Sequence, residues 1–259
     1  MVSEIKQFLA GHPWADKIQY FASIDSTNTY AKKLAMEDAP AGTVILAGHQ
    51  TAGRGRLGRS FSSPENMGIY LSVILRPDCN PAEIMHLTCA AGVAALKAID
   101  HPEVGIKWTN DLVIGKRKLG GILTELSVDP VTQKVAWVVV GIGINCCQNS
   151  WDFPEEIRHM ACSLDMDWQE VPWLAADLIQ SLFQMDCDLL TKKQEIMTSF
   201  ADKCVTIGSE ISILRGDDVR HGRAVGVDED GGLLVEHPDG TTETVTSGEV
   251  SIRGMYGYL

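Results

Sequence analysis

The chain is short of positive charge. Against 34 aspartates and glutamates it sets only 22 lysines and arginines over 259 residues, a formal net charge of −12. A molecule of that sign repels polyphosphate backbones at long range, so no nucleic-acid partner is expected. It also lacks any C-x-x-C pair or zinc-like ligand spacing, and its cysteines number seven. A reduced, cytoplasmic protein with no structural disulfide and no protein-held metal is the expectation. No apolar run comes near the roughly 18 residues that a bilayer crossing needs, and residues 1–9 hold no h-region, so no membrane partner is expected either. Repeats and low-complexity tracts are absent. With 45% hydrophobic and 22% charged residues, the composition is that of a globular fold with a sizeable core.

The patterning that is present predicts a short strand over 18–24, then a helix to about residue 38, capped by Ser26 or Thr27. Apolar strands are expected at 43–49 and 69–75, with an irregular stretch rich in Gly, Arg and Ser between them. Asn80, Pro81 and Glu83 open a helix on which Ile84, Leu87, Ala91, Ala94, Ala95 and Ile99 recur at helical spacing. Strands follow at 104–108, 112–114, 121–126 and 135–145, then helices at 172–190 and 193–202. After Lys203 the character changes. Strand candidates at 205–207, 210–215, 221–227, 232–237, 241–246 and 250–252 are separated by Gly208-Ser209, Asp230-Gly231-Gly232 and Asp239-Gly240, which are hairpin signals. The fold class expected is α/β (α+β): a mixed-sheet catalytic domain over 1–203 and a small all-β barrel over 204–259.

The most unusual segment is Gly53-Arg54-Gly55-Arg56-Leu57-Gly58-Arg59. Its glycines permit close backbone approach, and its arginines are permanent, planar donors for phosphate and carboxylate. A loop that folds over an anion is the functional reading; a solvated basic loop is the bland one. Gly53-x-Gly55-x-x-Gly58 matches the dinucleotide fingerprint, and 53–60 nearly matches a P-loop. Both motifs need a helix to start there, and Ser60-Phe61-Ser62-Ser63-Pro64 forbids one.

Other segments should meet this loop. Lys107-Trp108-Thr109-Asn110-Asp111 puts a carboxylate at a strand end, and the following Lys116-Arg117-Lys118 run leads into Gly120-Gly121. Either the pair forms a hairpin with a solvated connector, or it brings a carboxylate and a lysine into one crevice. The glycines of Gly141-Ile142-Gly143-Ile144-Asn145 signal close approach of a ligand or tight packing.

Five segments, in order, resemble the biotin–protein ligase family. They are Ile24-Asp25-Ser26-Thr27-Asn28, Gln50-Thr51-Ala52-Gly53-Arg54-Gly55-Arg56, Lys107-Trp108-Thr109-Asn110-Asp111, Arg117-Lys118-Leu119-Gly120-Gly121-Ile122-Leu123 and Gly141-Ile142-Gly143-Ile144-Asn145. The C-terminal strands resemble the SH3-like cap of that family. The resemblance implies a fold like that of class II aminoacyl-tRNA synthetases. It also implies ATP-dependent formation of biotinyl-5′-AMP and transfer of biotin to a lysine of a biotin carboxyl carrier protein, with Mg²⁺ travelling on ATP.

On this resemblance Lys118, Arg56 and Asp111 are catalytic. Lys118 would touch phosphate and acyl oxygens, Arg56 would hold the adenylate, and Asp111 would orient or deprotonate the incoming amine. Ser26, Thr27, Asn28 and Gln50 would line the pocket and bond the ureido ring. Gly53, Arg54, Gly55, Trp108, Asn110, Gly121, Gly143 and Asn145 complete the binding set. Thr109 departs from a usual proline, Gly120 from alanine, and Leu57 and Phe61 from Arg and Trp. Ser26 lies too near the start to leave room for a winged-helix domain, so a single-function form is expected. The family includes monomers and dimers through the central sheet, so a homodimer stays open. A lipoate ligase on the same fold, a non-catalytic biotin-binding protein and a nucleic-acid-binding protein are the competing readings.

Overall fold

A computed structural model describes residues 1–215, 218–246 and 249–252. Its body is a seven-stranded sheet with the order β1-β2-β3-β7-β6-β5-β4. These strands are β1 (Ile18–Phe21), β2 (Val44–Ala47), β3 (Gly68–Leu75), β4 (Val104–Lys107), β5 (Asp111–Ile114), β6 (Arg117–Val128) and β7 (Val135–Asn145). The β1–β2 pair is parallel and every other pair is antiparallel, as a mixed sheet requires.

Both faces of this sheet are covered, which explains the unbroken apolar runs. All eight residues of β3 are buried. Alternate residues go to opposite sides, since strand side chains have a period of two. Ile45, Ile74, Trp137 and Val139 pack with Ala31 and Ala35 of α2 (Thr27–Met36). Val44, Leu46, Val73, Leu75, Val138 and Val140 join the larger core under α3 (Ile84–Ile99) and α4 (Val171–Asp188). A further helix, α5 (Lys193–Lys203), packs on α3.

Helix starts follow the expected chemistry. Ser26 caps α2, its side chain accepting from the Thr29 N–H at 3.4 Å. A 3₁₀ turn at Pro81–Glu83 leads into α3, with Glu83 Oε2 accepting from the Asn80 N–H at 2.9 Å. The stretch Pro81–Ile99 is long and apolar enough, by length and composition, to cross a membrane, contrary to the sequence reading. Here it is a core helix, with ten of its residues buried against sheet and neighbouring helices.

The second sheet has the order β11-β10-β9-β8-β12, antiparallel throughout. Its strands are β8 (Glu210–Arg215), β9 (Asp218–Val227), β10 (Leu233–Glu236), β11 (Thr242–Val245) and β12 (Glu249–Ile252), a small SH3-like sheet. Residues 205–207, expected as a strand, form a turn closed by the Ile207 N–H on Cys204 O at 3.2 Å. Thr206 is drawn into that turn because its Oγ1 accepts from the Trp108 N–H at 2.9 Å. An unexpected N-terminal helix, α1 (Val2–Phe8), keeps Val2, Ile5 and Phe8 at helical spacing against the core, but at seven residues it is too short to stand out in the sequence. Residues 253–259 of the expected barrel lie outside the described residues.

Candidate active site

The Arg/Gly segment folds back on itself. Gly53 O accepts from the Phe61 N–H at 2.9 Å, and the Gly55 N–H donates to Arg59 O at 2.7 Å. A side chain at 53 would collide with the Phe61 carbonyl, so the returning limb requires glycine there. Leu57 at the tip has φ 55 and Gly58 φ 74, which turns the chain sharply. No α-helix begins in the segment, and the strand β3 follows it, so both phosphate-loop matches are accidental.

Two of its arginines strap this hairpin down. With side chains alternating along an extended chain, Arg54 and Arg56 emerge on one side. Arg54 Nη1 donates to both carboxylate oxygens of Glu125 on β6, at 3.2 and 3.1 Å. Arg56 Nη1 donates to Asn110 Oδ1 at 3.0 Å and Thr109 Oγ1 at 3.3 Å. Asn110 is itself fixed on β6, its Nδ2 donating to Ile122 O at 3.0 Å.

Beneath the hairpin lies a recess floored by the β6–β7 pair, where Gly121 stands opposite Gly143 and Leu123 opposite Gly141. A side chain at 141 would collide with Asn28 Oδ1, and one at 143 with the Phe61 ring. The inner wall is a saturated network around the start of α2. Ser26, Thr27 and Asn28 are buried. Ser72 Oγ on β3 is within hydrogen-bond distance of Thr27 Oγ1 (2.8 Å) and Asn28 Oδ1 (2.6 Å). Gln50 Oε1 accepts from the Thr27 N–H at 2.8 Å, and its Nε2 donates to Ser63 Oγ at 2.9 Å. Buried polar groups satisfied in this way fix one geometry, because breaking any partner strands a donor or acceptor at about 1–3 kcal/mol.

The outer wall is an ion pair. Lys118 Nζ donates to Asp111 Oδ1 at 2.6 Å, with the lysine 37% and the aspartate 17% exposed. The β5–β6 hairpin brings them together through a register shift between Leu112 and Val113. Lys118 and Phe61 line every one of three adjoining hollows. The innermost is about 50 Å³, between Ser26–Asn28, Gln50, Arg54, Arg56 and the floor glycines. The largest, about 410 Å³, runs from Lys118, Asp111, Lys107 and Arg59 to an apolar side made by Phe153, Ile157, Met160 and Ala161. A third of about 120 Å³ opens past Leu57 and Val250, beside Asp111.

Most of the sequence-predicted residues therefore converge. Ser26, Thr27, Asn28, Gln50, Arg54, Gly55, Arg56, Asn110, Lys118, Gly121 and Gly143 line the inner hollow, and Asp111 the outer ones. Gly53 is a hinge of the hairpin. Trp108 edges the third hollow, but its indole N–H donates to Gly231 O, in the turn between β9 and β10, at 2.8 Å. Asn145 edges the large hollow, yet its Nδ2 donates to Cys162 O at 3.0 Å and its Oδ1 accepts from Gln148 at 3.3 Å. Glu125, Ser72 and the apolar trio Phe153, Ile157 and Met160 were not read from the sequence. Glu125 sits in an ordinary strand run, and only its neighbours in space reveal it.

Electrostatics separate the groups. Burial pushes the Glu125 carboxyl up, but hydrogen bonds from Lys32 and Asn28 and the charges of Lys32 and Arg54 outweigh it and hold the group below its ordinary value. Burial raises the thiols of Cys79, Cys89, Cys146, Cys147, Cys162 and Cys204, so none of these is poised as a thiolate nucleophile. All seven cysteines are free.

Residues 20–145 match the biotin/lipoate A/B protein ligase family, and residues 206–253 match the biotin protein ligase C-terminal domain. The bifunctional ligase/repressor BirA of Bacillus subtilis is 34% identical over 92% of this chain and 75% of its own length. The biotin–[acetyl-CoA-carboxylase] ligase of Mycobacterium tuberculosis is 31% identical over 93% of this chain and 90% of its own. The structure of the Aquifex aeolicus biotin protein ligase with biotin and ATP superposes with a TM-score of 0.74 at 30% identity, covering 91% of this chain and 98% of that one.

Proposed function

The chain belongs to the biotin/lipoate A/B protein ligase family, and from that premise we propose that its cleft activates biotin with ATP and passes it to a carrier lysine. The observation that carries the reading is the Lys118–Asp111 pair, set at 2.6 Å beside a glycine-floored recess that two arginines close. Joining a carboxylate to a triphosphate brings anions together, and this wall supplies fixed positive charge where they meet.

In the first step a biotin carboxylate oxygen bonds to the α-phosphorus of ATP, and the bond to pyrophosphate breaks. Lys118 faces all three hollows and so reaches both the acyl and phosphate oxygens as charge develops on them. Mg²⁺ enters with ATP as part of the substrate. Ser26, Thr27, Asn28 and Gln50 shape the inner recess for the ureido end, and the large outer hollow, with its apolar Phe153–Met160 side, suits the adenosine. Phe61 lies on Gly143 in the recess, so substrate entry requires the ring and hairpin to move, and their return keeps water from the mixed anhydride.

In the second step the carrier amine bonds to the acyl carbon and AMP leaves. Asp111 has Oδ1 on Lys118 and no side-chain partner for Oδ2 among the described residues, so Oδ2 is placed to orient the amine and take its proton. The carrier is a biotin carboxyl carrier domain of a biotin-dependent carboxylase, reached in the cytoplasm. We divide the chain into a catalytic unit, 1–203, and a supporting SH3-like unit, 204–259.

ATP–pyrophosphate exchange tests this, comparing biotin, lipoate and no acid. Exchange that depends on biotin is expected. Exchange driven by lipoate, or by no acid at all, would overturn the reading.

A further inference from the structure

Glu125 has no part in the chemistry above, yet it gathers the cleft wall. Its carboxylate accepts from Asn28 Nδ2 at 3.1 Å, from Lys32 Nζ at 2.8 Å and from Arg54 Nη1 at 3.2 and 3.1 Å. The first two donors sit on α2, the third on the hairpin, and the acceptor on the long strand β6. One carboxylate thus ties together the three elements that surround the inner recess. Glu125 is 22% exposed and Lys32 26%, so that pair is partly withdrawn from water, while Arg54 is 41% exposed.

Arg54 is attached at one corner only. Its Nη1 faces Glu125, while its Nε and Nη2 have no partner among the described residues. Arg54 also lines the recess. A guanidinium fork held by one nitrogen can present its remaining donors in a fixed direction, which suits bidentate capture of an anion. Without an anchor, a side chain with so much rotamer freedom would have to be ordered when the ligand binds.

We propose that Glu125 is a positioning residue for the ligation: it fixes the Arg54 guanidinium so that the hairpin closes over the inner recess with donors aimed at the bound acid. The inference rests on the reading of the cleft as a biotin-activating site. Glu125 acts through Arg54, while its bond to Lys32 is a separate tie to α2 that the positioning of Arg54 does not require.

The test is biotin affinity by calorimetry on the full chain, together with AMP released per biotin transferred to a carrier domain. Glu125→Gln and Arg54→Gln are each expected to weaken biotin binding about tenfold, the scale of a charge-assisted bond in a preorganised site. The double variant should be no weaker than Arg54→Gln alone, because the second change removes nothing more. AMP released per biotinyl-lysine should rise in both single variants, as a looser hairpin lets water reach the adenylate. Lys32→Met should stay within about twofold of wild type.

Two results would overturn the proposal. One is a double variant weakened by the product of the two single effects. The other is a Lys32→Met variant that matches Glu125→Gln, which would leave Glu125 as an anchor of α2 only. If Glu125→Gln fails to fold, Arg54→Lys replaces it: a point charge without the fork should reproduce both the weaker binding and the leak, and wild-type behaviour would overturn the proposal. Wild-type protein without biotin-dependent pyrophosphate exchange would instead defeat the functional reading, so the two failures are distinct.

Discussion

The inner and outer walls of the cleft are built on opposite plans. The inner wall sets buried Ser26, Thr27, Asn28 and Ser72 beside half-buried Gln50, and these residues bond one another. The outer wall depends on Lys118 and Asp111, a pair open enough to exchange partners, beside a hollow of about 410 Å³. A saturated buried network is suited to recognising a fixed shape, since any misfit leaves a polar group unpaired. A half-exposed ion pair is suited to chemistry in which charge appears and departs. The hairpin joins the two plans by placing one arginine on each wall.

Four changes would break or sharpen this contrast. The largest effect is expected from Lys118→Ala on the outer wall, which should lower pyrophosphate exchange about 10³-fold, the scale of losing a donor aimed at developing charge. Arg56→Gly should come next. It removes the strap to Thr109 and Asn110, and trapped biotinyl-5′-AMP should escape roughly 10–100-fold faster in a filter-binding assay, labelling bystander proteins. On the inner wall, Gly141→Ala drives a methyl into Asn28 and should cost about 1–3 kcal/mol of stability by denaturant melt, with biotin binding weakened in parallel.

The smallest effect is a dependence on pH. Glu125 titrates below its ordinary value of 4.5 in the folded state, so its stabilisation is complete above about that pH and is lost as pH falls through the lowered value. Thermal melts of wild type and Glu125→Gln should differ by about 2–3 °C at pH 7, corresponding to under about 1 kcal/mol, and converge once the pH falls below the lowered value. A gap that persists in acid would show that shape rather than charge is at work.

Much of this was legible in the sequence because it is local. Helix caps at Ser26 and Asn80, the hairpin glycines and the apolar strands each follow from a few adjacent residues. The crevice pairing of Asp111 with Lys118 was one of two readings the sequence left open, and it depends on the register shift between Leu112 and Val113, which no local residue signals. The hidden parts depend on contacts distant in the chain. Glu125 looks like any strand glutamate until α2, over 90 residues earlier, supplies Lys32. Trp108 reads as a cleft residue, yet its indole is claimed by Gly231. Residues 205–207 have strand composition, but Thr206 is recruited into a turn by the Trp108 backbone. The apolar residues Phe153, Ile157 and Met160 of the large hollow lie in an irregular segment that has no periodicity to read.

The most direct measurement is biotin affinity of Lys118→Ala by calorimetry without ATP, set beside its exchange rate. If the inner wall recognises the acid and the outer wall handles the charge, affinity stays within about threefold of wild type while exchange collapses. An affinity that falls as far as the exchange would contradict that division, placing Lys118 in recognition of biotin and leaving one undivided site.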